Sequence, residues 1–152
     1  MENKAIYKFN YTNNIMKTLK ILLLCVLCTL SVQAQKQYKL ASPDGKLQTT
    51  VTAGKQLNYD ITFDGQQILK TSPISMTLDN GEVWGENDKP SKVSKKSVNE
   101  MVKAPFYRAN VLANNYNEMT LKFKGFNVEF RAYNDGIAYR FVNTNKKPFC
   151  VV

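Results

Sequence analysis

The side chains best equipped for acid–base work in this sequence are seven carboxylates, Glu82, Glu86, Asp88, Glu100, Glu118, Glu129 and Asp135. Two such groups facing each other across a cleft can protonate a glycosidic oxygen and activate water, or attack the sugar directly. Spacing alone selects no pair among them. Glu129 alternates with apolar residues and so points away from a core, while Asp135 sits in a turn where its side chain can hold backbone N–H groups. The sequence contains no histidine, which removes the usual general base and the commonest metal ligand. A His-dependent triad is therefore excluded, and no Gly-x-Gly or Gly-Lys-Ser/Thr loop supports nucleotide chemistry.

Binding residues are scarcer. Trp84 is the lone tryptophan, and its flat indole is the candidate for stacking on a sugar ring, with packing against a sheet rim as the structural reading. Tyr107, Tyr116, Tyr133 and Tyr139 invite the same thought, but aromatics are common strand residues. Lys89, Lys92, Lys95, Lys96 and Lys103 form the one basic group, which suits phosphates or anionic glycans, or simply a solvated loop. Basic and aromatic residues interleave at Lys122-Phe123-Lys124 and Phe130-Arg131-Ala132-Tyr133. Single-stranded nucleic acid would use that pattern, but modest charge and an export signal argue for no nucleic-acid partner.

The elements that must position these residues are strands. Leu57, Tyr59, Ile61 and Phe63 alternate with polar residues, as do Phe126, Val128, Phe130 and Ala132. Met119, Leu121 and Phe123 make a further set; so do Ile74, Met76 and Leu78, then Ile137, Tyr139 and Phe141, with a weaker one from Leu47 to Ala53. Period-two alternation puts one strand face in a core and the other toward solvent. Turn signals separate the runs at Gly54-Lys55, Asp64-Gly65, Asn80-Gly81, Lys124-Gly125 and Asn134-Asp135-Gly136, so consecutive strands should pair as a meander. The fold class is all-β, an antiparallel β-sandwich following an N-terminal signal helix. The polar, Lys-rich stretch from Gly85 to Pro105 reads as a mobile loop holding one short edge strand, Lys92 to Val98.

Ahead of this domain, Lys17 and Lys20 precede the apolar run Ile21–Leu30, and Val32-Gln33-Ala34 supplies small residues at a cleavage position. That order describes a secretory signal cleaved between Ala34 and Gln35, with translation starting at Met16. Residues 1–34 are accordingly an upstream extension and signal, and 35–152 the domain. The expected location is the periplasm, with no stable membrane anchor after the signal is removed. Without residues 1–34 the chain loses four of its 21 basic and one of its 12 acidic residues, which leaves a net charge of +6. Only Cys150 would then remain, so no internal disulfide can form and stability rests on the core. Phe149-Cys150-Val151-Val152 opens an apolar run that stops at once, which reads as a truncated strand whose backbone and side chains would be exposed.

Two segments, Asn115-Tyr116-Asn117-Glu118-Met119-Thr120-Leu121 and Phe130-Arg131-Ala132-Tyr133-Asn134-Asp135-Gly136-Ile137-Ala138-Tyr139-Arg140-Phe141, resemble the N-terminal domain of glycoside hydrolase family 97. Leu40-Ala41-Ser42-Pro43-Asp44-Gly45-Lys46-Leu47 resembles that family's first strand and turn. These exported enzymes are α-glucosidases and α-galactosidases of Gram-negative bacteria. The resemblance implies part of a galactose-mutarotase-like super-sandwich that, in the family, precedes a catalytic (β/α)₈ barrel. It implies no catalytic residue in this chain, and Asn115, Tyr116, Asn117, Glu118, Asn134, Asp135 and Gly136 as structural motif residues. Calcium is implied for the intact family with no cofactor in this part, and an α-linked oligosaccharide is implied as the intact enzyme's partner. The expected function is a non-catalytic, carbohydrate-side scaffold, inactive alone. The alternative is a free-standing exported glycan-binding or envelope-interaction module.

Overall fold

The structure, a computed structural model, describes residues 35–87, 89–103, 111–145 and 148–152. The proposed leader, its cleavage residue Ala34, Asp88 and Tyr107 lie outside the described residues.

Ten strands and no helix make up the described part. β1 (Lys36–Ala41), β2 (Leu47–Ala53), β3 (Asn58–Phe63) and β4 (Gln66–Pro73) form one antiparallel sheet in chain order. β7 (Lys92–Lys103), β8 (Val111–Lys122), β9 (Phe126–Ala132) and β10 (Ile137–Asn143) form a second, also a meander. Between them in sequence lies a two-stranded ribbon of β5 (Met76–Thr77) and β6 (Val83–Trp84). The antiparallel sandwich expected from alternation is what the chain forms.

Alternation decides the facing. In β2, Leu47, Thr49, Val51 and Ala53 are buried, and in β9 Phe126, Val128, Phe130 and Ala132 are, while the residues between them are not. These rows look at each other with Leu40, Leu57, Met119 and Leu121 filling the space between. Each large side chain so buried stabilises by about 1.5–3 kcal/mol. Tyr59 of β3 reaches Phe130 of β9 with ring centroids 6.1 Å apart, which ties the two sheets at the centre. Asp64 and Gly65, with φ of 47° and 80°, close β3 onto β4 in the two-residue turn their types favour. The turn at Asn134-Asp135-Gly136 differs: none of the three adopts positive φ, and Tyr133 N–H donates to the Gly136 carbonyl at 2.8 Å.

The stretch read as a mobile loop is largely ordered ladder. Gly85 accepts from Leu57 N–H at 2.7 Å, Asn87 N–H donates to the Lys55 carbonyl at 2.9 Å, and Gln56 and Glu86 form a bridge. β7 then runs for 12 residues in register with β8, from Lys92 opposite Lys122 to Lys103 opposite Val111. The expected short strand is thus only its first half. β7 escapes alternation because it is an edge strand whose two faces are both mostly exposed. The terminal apolar run is also partly paired, in contrast to the expectation. Val152 N–H donates to the Thr77 carbonyl at 3.1 Å, Asp79 N–H donates to the Cys150 carbonyl at 3.0 Å, and Phe149 packs edge-on against Trp84.

Candidate functional site

Three structural facts locate the residues singled out by the sequence. The first concerns Trp84, which is only 2% exposed. Its ring lies on Phe126 with centroids 4.6 Å apart and planes 6° from parallel, Phe126 stacks in turn on Phe123, and the indole N–H donates to Glu82 Oε1 at 3.1 Å. One face is stacked, the polar edge is bonded and the residue is buried, so no ring surface is left for a sugar. The packing reading replaces the stacking one.

The second is the meeting of the three motif segments. Asn117 of β8 points into the gap between the sheets, where its Nδ2 donates to the Ala41 carbonyl of β1 and its Oδ1 accepts from Ser97 Oγ at 2.6 Å. Asn134, in the β9–β10 turn, accepts from Asp44 N–H at 3.1 Å. The side chain that takes a backbone N–H here is therefore that of Asn134 rather than Asp135. The Ser42–Lys46 turn is itself closed by Asp44, whose Oδ1 accepts from Ser42 Oγ at 2.5 Å and from Lys46 N–H at 3.1 Å. The Ser42 hydroxyl, and next the Lys46 N–H, hold the Asp44 carboxyl below its usual range. Segments 40–47, 115–121 and 130–141 are thus stitched together by hydrogen bonds, and Asn117 and Asn134 act as ties between sheets.

The third is a polar row on the outer face of the second sheet. Lys96, Glu118 and Arg131 stand directly opposite one another on β7, β8 and β9. Lys96 Nζ and Arg131 Nε each lie 2.9 Å from a different Glu118 oxygen. Arg131 also covers the Tyr116 ring, 4.7 Å from its centroid, and Tyr116 meets Tyr133 at 5.1 Å. Glu118 is buried although it faces away from the core, because its neighbours rather than the opposite sheet exclude water. Burial alone would raise its carboxyl, but donation from Lys96 and Arg131 outweighs this and keeps it below the usual range. An anion held this way is a poor proton donor. Beside it, Arg140 Nη2 pairs with Glu129 Oε2 at 2.7 Å. Glu129, Arg131, Tyr133, Ala138, Tyr139 and Arg140 line a shallow hollow of about 150 Å³.

This row was not visible in the sequence because it depends on strand register. The basic group is divided by the same register: Lys96 faces Glu118, whereas Lys95 lies on the opposite face of β7 and donates to the Lys39 carbonyl. Glu100 accepts from Asn114 Nδ2 at 2.8 Å. Among the described residues no three His, Cys, Asp or Glu side chains converge on a point that could hold a metal ion. The calcium implied for the intact family has no donor set there, and no chemistry of this chain is routed through it.

Comparison with known proteins accords with this geometry. The chain is 70% identical over 138 residues to a retaining alpha-galactosidase of Bacteroides thetaiotaomicron, which covers 90% of this chain but 21% of that protein. It therefore spans about a fifth of the curated relative's length. Among solved structures, a glycoside hydrolase family 97 enzyme from Pseudoalteromonas sp. strain K8, in complex with acarbose, superposes with a TM-score of 0.63 at 21% identity, over 72% of this chain and 18% of that one. A beta-arabinopyranosidase superposes with a TM-score of 0.64 at 21% identity, over 73% and 19%. At that identity the two structures speak for the fold alone. The profile of the family described as Glycosyl-hydrolase 97 N-terminal matches residues 40–152, and the chain belongs to that family.

Proposed function

We propose that this chain is the non-catalytic scaffold on the carbohydrate side of a family 97-type glycoside hydrolase, acting on α-linked galactosides in company with the remainder of such an enzyme. The observation that carries the reading is the 70% identity over nearly the whole chain to a fifth of a retaining alpha-galactosidase. The local chemistry supports it: Glu118 is held as an anion between two cations and Glu129 is paired with Arg140. Glu118, held below the usual carboxylate range, is not poised as the raised-pKa acid that glycoside cleavage requires. The basic, apolar and small-residue order of residues 16–34 supports export to the periplasm, and a mature N-terminus at Gln35 would be read directly by N-terminal sequencing.

The test is an exchange. The matching segment of the retaining alpha-galactosidase is replaced by this chain, and release of galactose is measured for the chimera and for this chain alone. The expected result is hydrolysis by the chimera and none by the chain. Hydrolysis by the chain alone overturns the reading, as does an inactive chimera that nevertheless folds.

The hollow beside Arg131 and Tyr133 favours a second reading, a free-standing glycan-binding module. Calorimetric binding of α-linked oligosaccharides to this chain alone would support that reading.

A further inference from the structure

Among the described residues, β8 is paired on both sides only from Asn117 to Lys122; from Val111 to Tyr116 its one ladder partner there is β7. Six rungs of β7–β8, from Val98 opposite Tyr116 to Lys103 opposite Val111, therefore project past the second sheet as a two-stranded ribbon. At the strand rise, this ribbon is about 20 Å long. Near the end of its described part each face carries exposed apolar side chains, with Lys103 standing opposite Val111. Val102 and Leu112, directly opposite each other on one face, are 41% and 38% exposed, while Met101 and Val111 on the other face are 68% and 46% exposed.

A free two-stranded ribbon is marginally stable in water, and exposed apolar pairs at its end gain from being covered. Which occupant covers it is indicated by the two-sidedness. A second copy stacked face to face would shield one side of each ribbon and leave the other bare. A groove that closes over both sides calls for a larger body, and this chain spans only 21% of the relative it matches at 70% identity.

We infer that the projecting β7–β8 ribbon is a docking arm, inserted between elements of the part of a family 97-type glycosidase that this chain does not contain. The inference rests on the function proposed above and names the surface through which that function is exerted.

The experiment uses the same chimera. Met101→Lys, Val102→Lys, Val111→Lys and Leu112→Lys are introduced together, with Ile68→Lys, a 61% exposed site on β4, as the control. In the parent chimera, hydrogen exchange of residues 98–103 and 111–116 is expected to be about tenfold or more slower than in the 152-residue chain alone. The arm variant should lose that protection and melt in two separate transitions, whereas Ile68→Lys should behave as the parent. Equal exchange in the active chimera and in the free chain would overturn the arm while leaving the proposed function intact. An inactive parent chimera that folds would remove both. A dimer of the free chain, seen by sedimentation and abolished by the arm substitutions, would assign the ribbon to a second copy and overturn the occupant named here.

Discussion

Asn117 and Ala41 are 76 positions apart in the chain, yet the amide Nδ2 of one sits 2.8 Å from the backbone oxygen of the other. This bond joins β8 of one sheet to the end of β1 in the other, and Ser97 fixes the amide from its second side. Asn117→Ala removes the donor and leaves the Ala41 carbonyl without it at a partly buried position. The expected loss is about 1–2 kcal/mol, read as a lower midpoint in urea. Asn117→Asp should cost at least as much, since a carboxylate cannot donate to a carbonyl. An unchanged midpoint in both variants would mean that the Asn117 tie adds nothing to apolar packing and the Asn134–Asp44 bond.

Glu118 and its two cations separate buried from exposed contributions. Glu118→Gln keeps the shape but removes the charge between Lys96 and Arg131, and a loss of roughly 1–3 kcal/mol is expected. Lys96→Ala should move the midpoint far less, because the Lys96 side chain is 59% exposed and its pairing is screened by water. Equal effects would contradict the burial argument.

The pH response follows from the same groups. The carboxyls of Glu118 and Asp44 are both depressed in the folded chain, from ordinary values of 4.5 and 3.8. A depressed carboxyl contributes stability that is fully present above its unfolded value and is lost as pH falls through its folded value. Stability should therefore be level above about pH 5 and decline below pH 4.5. Glu118→Gln should make the acid limb shallower. Denaturation midpoints measured from pH 3 to 6 check this, and an acid limb unchanged in the variant would refute it.

Gly85 and Gly65 have similar positive φ, 96° and 80°, but different surroundings. A Cβ on Gly85 would come within 2.5 Å of the Ile74 carbonyl oxygen, while at Gly65 nothing lies within 4 Å. Gly65→Ala should cost about 1 kcal/mol from backbone conformation alone. Gly85→Ala adds a clash with the Ile74 carbonyl, whose residue is fixed by donating its N–H to the Leu57 carbonyl, so about 3 kcal/mol is expected. Thermal melts of the two variants give the comparison.

Strands whose apolar residues alternate with polar ones were legible in the sequence, and strands without that alternation were not. β2 and β9 declare themselves through Leu47–Ala53 and Phe126–Ala132, whose every second residue is buried. β4 carries Ile68 and Leu69 side by side and is exposed along most of its length, so no period marks it. β7 fails for the same reason, and its lysines read as solvated loop. The Lys96–Glu118–Arg131 row was out of reach because it requires knowing that residue 96 lies opposite 118 and 118 opposite 131. Trp84 illustrates the opposite case, since its type and its Gly-flanked position suit a binding residue. Only the stack on Phe126 reveals a core one.

Within each large sheet, neighbours in space are also neighbours along the chain. Every ladder can therefore close by a short local step, which favours rapid assembly over a long search for distant partners. During synthesis the four strands of residues 36–73 are complete before any strand of the second sheet has emerged. They then hold a bare apolar side until β8 and β9 arrive, after the whole of β7 has been made. In that interval the nascent chain is most open to capture by chaperones or by other unfinished copies of itself.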